Sequence, residues 1–235
     1  PFMPDFSLPE HVKKAMLAEI EAPSASHYTA PIGSYELKVV LAKKLKEKNH
    51  LDVSPDRNIL ITPGSDSGLY FSILPFIEPG DEVLIPSPSY ANNYLAIDIM
   101  GGKIVSVPLK EEEGYQLDEK VLESYVTDKT KMIVPVHIGG YPVDMDPIME
   151  IARKHNIVVL EDAAHAFGAE YKGRKIGTIG DFAGFSLHEV KNITSFGEGG
   201  IATTNIPGFG PEMKRARFLG LDFSCPIKDW LYNIT

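Results

Sequence analysis

The chain contains 235 residues, of which 43% are hydrophobic and 23% are charged, and this composition is ordinary for a globular protein that buries a core. Acidic residues outnumber basic ones by 32 to 23, so the formal net charge is −9. This balance argues against a general surface for nucleic acids or anionic membranes, because both need positive potential, but it leaves room for a local phosphate pocket.

Apolar runs alternate with helical patterns along the chain, which is typical of a parallel α/β sheet. The first two predicted helices span 10–21 and 34–48, because their apolar residues recur at helical spacing. Buried strands are then predicted at 58–62, 82–86, 103–108, 131–137, 156–161, 182–187 and 200–204. Further helices are predicted at 66–77, 91–100, 118–125 and 145–155, with another that begins near Pro211. The pattern predicts one domain with seven strands.

Polar and aromatic residues follow several of these predicted strands. Ligands in such sheets bind beyond the carboxyl ends of the strands, where side chains from several strands converge. The residues found there are the run from Gly64 to Gly68, Tyr90, His137, Asp162, His165, Ser186 and Lys191. The sequence therefore predicts a ligand site at this edge of the sheet.

The loop from Gly64 to Ser67 leads into a predicted helix. The free backbone N–H groups and the positive end of that helix can hold an anion. The loop lacks both the dinucleotide pattern G-x-G-x-x-G and the P-loop pattern, so a single phosphate group fits better. The alternative is an ordinary strand-to-helix turn in which a serine or aspartate caps the helix.

Asp162 follows a mostly apolar run, and a carboxylate buried there needs a partner. A pyridinium N–H is one such partner. Enzymes that use pyridoxal phosphate (PLP) pair this group with an aspartate. A helix cap or a bond to local backbone is the alternative for Asp162. His165 lies three residues later and can reach the same ligand, although a structural histidine is the alternative there.

Lys191 lies between the predicted strand 182–187 and the glycine cluster 197–200. A lysine that loses solvent at a strand end is more readily available as a free amine for Schiff-base formation, whereas a solvated surface lysine is the alternative. Tyr90 offers a flat face that can stack on an aromatic cofactor, and a core or interface tyrosine is the alternative there.

Motifs across nearly the whole chain resemble those of fold-type-I PLP-dependent transferases, in two sets. Over residues 5–130 the chain resembles class I/II aminotransferases. The motifs of this set are Pro4-Asp5-Phe6, His27-Tyr28 with Gly33, Glu36-Leu37-Lys38, Ile61-Thr62-Pro63-Gly64, Pro79-Gly80-Asp81-Glu82-Val83 and Pro86-Ser87-Pro88-Ser89-Tyr90. Over residues 131–235 it resembles the DegT/DnrJ/StrS aminotransferase family. The motifs of that set are Pro135-Val136-His137-Ile138-Gly139-Gly140, Asp144-Met145-Asp146, Glu161-Asp162-Ala163-Ala164-His165, Gly180-Asp181-Phe182, Phe185-Ser186 and Lys191-Asn192 with Gly197-Glu198-Gly199-Gly200.

The resemblance implies a role for each candidate site residue. Lys191 would form the Schiff base with PLP, and Asp162 would pair with the pyridine nitrogen. The resemblance implies that these two residues are catalytic. His165 would lie near the ring hydroxyl, and Tyr90 would stack on the ring. The residues implied to bind the phosphate are Gly64, Ser65, Asp66 and Ser186. Tyr28 matches a tyrosine that reaches the phosphate of the neighbouring subunit, which implies a homodimer with shared active sites.

The resemblance also implies an architecture. We expect a three-layer αβα sandwich around a mostly parallel seven-stranded sheet. An N-terminal arm with helices would occupy residues 1–50, the PLP-binding large domain 51–210, and the start of a connection 211–235. The small C-terminal domain of class I enzymes, which supplies an arginine for the substrate carboxylate, is expected to be absent. The class I N-P-x-N-P-x-G stretch is also missing, and 137–140 stand in its place.

The implied activity is a PLP-dependent amino transfer, from an amino-acid donor to a keto acceptor that is either a keto-sugar or a keto acid. Related PLP dehydratases or lyases share these motifs, and a catalytically silent PLP-binding domain is an alternative. A metal-dependent hydrolase would instead use His137, Asp162 and His165, because two imidazoles and a carboxylate can ligate a metal. That alternative leaves Lys191 and Ser186 unexplained, so we expect no metal.

The compartment is predicted from cysteine usage and from the lack of targeting patterns. The single cysteine, Cys225, cannot form an internal disulfide, and it has no paired motif. No stretch approaches the ~20 apolar residues of a membrane span, and the first residues lack the pattern of a secretory signal. We therefore expect a soluble protein of the cytoplasm without nucleic-acid or membrane partners.

Overall fold

A computed structural model of the chain describes residues 7–50, 52–195, 197–218 and 220–221, without the side chain of Asn49. Helices α1 (Glu10–Glu21) and α2 (Tyr35–Asn49) match the two predicted near the N-terminus, and a short helix α3 (Pro55–Asn58) follows. The Ser34 hydroxyl caps α2 by accepting the backbone N–H of Leu37 at 3.2 Å. The motif at 4–6, Cys225 and the predicted connection beyond residue 221 lie outside the described residues.

The central sheet contains the seven predicted strands. They are β1 (Leu60–Thr62), β2 (Glu82–Ser87), β3 (Lys103–Pro108), β4 (Thr130–Ile133), β5 (Val158–Asp162), β8 (Phe182–Ser186) and β9 (Gly200–Thr204). Their order is β1-β9-β8-β5-β4-β2-β3. Neighbouring strands are parallel except at β9, which is antiparallel to both β1 and β8. The prediction of a mostly parallel seven-stranded sheet is confirmed.

Two details of the strand prediction were wrong. The strand predicted at 131–137 ends at Ile133, and beyond it Val136 makes an isolated bridge to Asp162. A separate hairpin, β6 (Glu170–Tyr171) with β7 (Arg174–Lys175), was not predicted. Strands of two residues are too short for an alternation of apolar and polar residues to reveal them.

Helices cover both faces of the sheet. One face carries α4 (Ser65–Ile73), α5 (Ala91–Ile99) and α8 (Gly210–Arg217), and the other carries α6 (Glu119–Ser124) and α7 (Met145–His155). Successive residues of β2 alternate between the two cores: Val83 and Ile85 pack with α4 and α5, whereas Leu84 packs with α7. The three-layer αβα sandwich is therefore confirmed. In the described part of the chain, no helix is long and apolar enough to cross a membrane.

The strand directions decide where the polar residues of the strand ends meet. Strands β1, β2, β5 and β8 run in the same direction, so Thr62, Ser87, Asp162 and Ser186 end at one edge of the sheet. Because β9 runs the opposite way, its first residue, Gly200, lies at this edge, paired with both Thr62 and Ser186.

Candidate active site

A cavity of about 420 Å³ opens at this edge of the sheet. Seven of the nine residues predicted to bind the cofactor line it: Ser65, Asp66, Tyr90, Asp162, His165, Ser186 and Lys191. Gly64 lies directly before Ser65, at the start of α4. Tyr28 does not line the cavity, and its side chain is fully exposed.

The loop from Gly64 to Ser67, called the anion loop below, leads into α4, and the first turn of α4 has no side-chain cap. Gly64 occupies the N-cap position with φ 88°, a conformation that suits glycine, so the alternative of a serine or aspartate cap was wrong. The Thr62 hydroxyl donates to the Gly64 carbonyl at 2.9 Å and fixes the turn. The N–H groups that follow Gly64 are in the first turn, where an anion is stabilised by the helix.

The first residue of strand β9 packs against this loop. A Cβ atom added at Gly200 would lie 2.2 Å from the carbonyl oxygen of Gly64 and 2.6 Å from the backbone nitrogen of Ser65. Such distances are far below van der Waals contact, so the absence of a side chain at Gly200 allows the two backbones to touch. The glycine cluster of the sequence therefore sets the position of the anion loop.

Asp162 ends β5 with its side chain almost entirely buried. Its Oδ2 atom accepts a hydrogen bond from the Asn93 side-chain amide at 2.8 Å, and its Oδ1 atom accepts the Ala164 N–H at 3.2 Å. A buried carboxylate needs such donors. Asn93 was not predicted as a site residue, because an asparagine in the first turn of a helix has no pattern that distinguishes it.

Lys191 and His165 are in direct contact. The lysine Nζ lies 2.8 Å from His165 Nε2, and His165 Nδ1 accepts the N–H of Gly139 at 3.3 Å. Burial lowers the pKa of His165, the positive charge of Lys191 lowers it further, and Asp162 acts in the opposite direction. The lowered pKa favours the neutral imidazole at pH 7. Because Nδ1 accepts a hydrogen bond, the neutral ring carries its hydrogen on Nε2, which faces the lysine Nζ.

Tyr90 lines the cavity and lies directly before α5. Burial raises the pKa of its phenol, and the negative charges of Asp66, Asp162 and Glu198 raise it further, so the phenol keeps its proton at neutral pH. The Asn92 amide donates to Asp66 Oδ2 at 2.5 Å and lies 3.3 Å from the Tyr90 oxygen. Asn92 therefore links Tyr90 to the anion loop.

The polar residues His188 and Glu198 also line the cavity and were not predicted as site residues. His188 Nε2 lies 3.4 Å from Glu198 Oε1. The His188 N–H donates to the Ser186 hydroxyl oxygen at 3.2 Å. The position of His188 between Ser186 and Lys191 is a signal that could have found it, since that segment follows a strand at the ligand-binding edge.

His137 plays a structural part that weakens the metal-hydrolase alternative. It is buried, its Nε2 lies 3.1 Å from Glu161 Oε2, and its Nδ1 accepts the Val143 N–H at 3.2 Å, so both ring nitrogens are in use. Burial raises the pKa of Glu161, but hydrogen bonds from His137 and from two backbone N–H groups outweigh it and hold the pKa below its usual range. Among the residues with described positions, no group of three His, Cys, Asp or Glu side chains has metal-binding geometry.

Comparison with known proteins gives one matching family model, that of the DegT/DnrJ/EryC1/StrS aminotransferase family, over residues 69–225. Curated relatives include a GDP-perosamine synthase of Caulobacter vibrioides, 38% identical over 194 residues, 80% of this chain and 52% of the relative. A dTDP-3-amino-3,4,6-trideoxy-alpha-D-glucose transaminase of Streptomyces venezuelae is 39% identical over 145 residues, 61% of this chain and 38% of the relative. The chain thus spans about half or less of the length of these relatives.

Solved structures agree with the fold. DesV of S. venezuelae, in complex with a ketimine intermediate, is 30% identical with a TM-score of 0.72, over 90% of this chain and 56% of that one. The PLP form of Spr1654 from Streptococcus pneumoniae, which is described as a sugar aminotransferase, is 26% identical with a TM-score of 0.74, over 90% of this chain and 55% of that one.

Proposed function

This chain belongs to the DegT/DnrJ/EryC1/StrS aminotransferase family, and from that premise we propose that it binds PLP and performs amino transfer through Lys191. One observation carries the proposal: the lysine amine, the buried Asp162 carboxylate and the uncapped first turn of α4 surround one cavity. PLP needs these three groups, for its aldehyde, its ring nitrogen and its phosphate.

The residues present fit the chemistry of the cofactor. The buried carboxylate of Asp162 receives two hydrogen bonds from neutral donors, and a carboxylate has capacity for further donors. A pyridinium N–H would add such a donor and a positive charge. The cavity of about 420 Å³ is within the size range of small-molecule sites.

Bound PLP supplies the electron sink that stabilises negative charge on the substrate carbon. In our proposal, Lys191 Nζ would hold the cofactor through its aldehyde, and its free amine would be the group that moves a proton at the substrate carbon. The Nε2–H group of His165, 2.8 Å from Lys191 Nζ, would donate to that amine and orient it. Asp162 would pair with the ring nitrogen, and Tyr90 would stack on the ring.

The phosphate would be held at the start of α4. The backbone N–H groups of its first turn have no side-chain cap and would donate to the phosphate, as would the hydroxyl groups of Ser65 and Ser186. Asp66 contributes through its backbone N–H, because its carboxylate is engaged with Asn92 and would repel the phosphate.

An amino acid is the proposed donor, and a keto-sugar is the acceptor that the names of the perosamine and amino-glucose relatives favour over a keto acid. For the domain boundaries we propose an N-terminal arm at 1–50, the PLP-binding domain at 51–210 and a connection at 211–235. The single cysteine is in keeping with a proposed location in the reducing cytoplasm.

The proposal is tested by adding PLP to the purified chain and following the visible absorption band of the Schiff base. We expect a band in the wild type that borohydride reduction fixes onto Lys191, as read by mass spectrometry. Lys191→Ala should lose both the band and the adduct. Lys43→Ala is the matched control, because Lys43 is an exposed lysine of α2 paired with Glu47.

A wild-type chain that stays colourless with added PLP would contradict the proposal. An amino-transfer assay, with glutamate as donor and a nucleotide-linked keto-sugar as acceptor, then separates the enzyme from a silent domain. A chain that binds PLP on Lys191 and transfers no amino group would support the silent PLP-binding domain instead.

A further inference from the structure

Two consecutive asparagines lie in the first turn of α5, and each donates to a carboxylate from a different part of the chain. Asn92 donates to Asp66 at the anion loop, and Asn93 donates to Asp162 at the end of β5. Asn93 is 4% exposed and Asp162 is also 4% exposed, so this second contact is shielded from water. Neither asparagine was predicted from the sequence as a site residue.

The orientation of the Asn93 amide follows from its partner. An ionised carboxylate can only accept hydrogen bonds, so the Nδ2 atom and not the oxygen of Asn93 must face Asp162. With Ala164 N–H on Oδ1 and Asn93 on Oδ2, each oxygen of the carboxylate has one donor. These two bonds fix the plane of the carboxylate.

The Asn93 amide is an uncharged donor, and this property is important for the contact with Asp162. A lysine or arginine at position 93 would also donate to Asp162, but its positive charge would repel a protonated ring nitrogen. A neutral amide orients the carboxylate without that repulsion. The same helical turn carries Tyr90, whose carbonyl accepts the backbone N–H of Asn93 at 3.1 Å.

We propose that Asn93 is a positioning residue for Asp162, which orients the carboxylate towards the ring nitrogen of PLP so that this nitrogen stays protonated. This inference rests on the proposed function, since it concerns the same site. Asn93 acts through Asp162 and needs no contact of its own with the cofactor.

The test is a pH titration of the bound ring nitrogen by ¹⁵N NMR, with PLP labelled at that nitrogen. Asn93→Leu keeps the side-chain size and removes the donor, and Asn93→Gln keeps a donor. We expect the midpoint of ring protonation to fall by about one pH unit in Asn93→Leu, a roughly tenfold loss of proton affinity, and to recover in part in Asn93→Gln. In Asn58→Leu the midpoint should stay at the wild-type value, because Asn58 lies outside the cavity and bonds the Ser54 N–H.

An unchanged midpoint in a folded, PLP-loaded Asn93→Leu protein would overturn the inference and leave the proposed function intact. A wild-type chain that does not bind PLP would overturn both. Circular dichroism shows whether Asn93→Leu folds; if it does not, Asn93→Ala takes its place in the titration, and a wild-type midpoint there would overturn the inference equally.

Discussion

His165 and Lys191 are 26 positions apart in the sequence, yet their side chains meet at 2.8 Å. The sequence placed each at a strand end, and it gave no means of deciding that they touch. Their contact gives His165 a specific electrostatic environment, in which burial and the lysine charge both disfavour the imidazolium form. This environment leads to a prediction about stability.

Because the pKa of His165 is lowered in the folded chain, the unfolded chain binds a proton first as the pH falls below about 6.5. Stability contributed by the neutral imidazole is thus fully present above the unfolded pKa and is lost as the pH falls towards the folded one. We expect the melting temperature of the wild type to fall more steeply between about pH 7 and pH 5 than that of His165→Gln.

Thermal unfolding of both proteins across that range measures the difference in slope. Other histidines are present in both proteins, so their contributions cancel in the comparison. His11→Gln, which changes an exposed histidine of α1, is the control and should follow the wild-type slope. Parallel curves for wild type and His165→Gln would show that His165 does not carry this pH dependence.

At the scale of elements, the anion loop depends on the contact of β9 with the start of α4. The strand direction brings Gly200 against Gly64, although these residues are far apart in the sequence. A glycine cluster after a strand indicates close backbone approach, and the antiparallel direction of β9 decides which backbone approaches.

Gly200→Ala tests this contact. Its Cβ would lie 2.2 Å from the Gly64 carbonyl oxygen, so the loop must move and the first turn of α4 with it. We expect PLP affinity to fall by at least about tenfold, equivalent to ~1.4 kcal/mol of binding free energy, as measured by fluorescence titration.

Gly210→Ala is the matched control for this measurement. Gly210 begins α8, away from the cavity, and the nearest atom to its added Cβ is the Arg57 carbonyl oxygen at 3.3 Å. PLP affinity should stay within about twofold of the wild type, because Gly210 does not line the cavity and its added Cβ would not approach the loop at Gly64. Equal affinities for both variants and the wild type would contradict the role given to Gly200.

At the scale of the whole molecule, the N-terminal region exposes aromatic and aliphatic side chains. Tyr28 is fully exposed, and α1 buries none of its residues within this chain. A homodimer in which Tyr28 reaches the phosphate of the other subunit stays a prediction from the family resemblance. In such a homodimer, the other subunit would contact the exposed side chains of Tyr28 and α1.

This prediction is tested on Tyr28→Phe, which removes one hydroxyl. We expect wild type and variant to sediment as dimers, with PLP affinity lower by about tenfold in the variant because one hydrogen bond to a charged phosphate is lost. Tyr35→Phe changes another exposed tyrosine and should keep wild-type affinity. A monomer at micromolar concentration, or unchanged affinity in Tyr28→Phe, would contradict the shared site.

The sequence by itself determined the number and order of the main helices and strands, because apolar periodicity is a local property of neighbouring residues. It also located Asp162, Ser186 and Lys191 at strand ends, since a parallel sheet collects such ends at one edge. The two-residue strands β6 and β7 were missed because two residues make only one period of the strand pattern, too few to show a repeat.

Only the tertiary structure decided which of these residues touch. Asn93 meets Asp162 across 69 positions of sequence, and His137 is committed to Glu161 instead of to a ligand. Such contacts depend on strand order, on the reversed direction of β9 and on how α5 packs against the sheet. No short segment encodes them, because they form only when distant parts of the chain pack together.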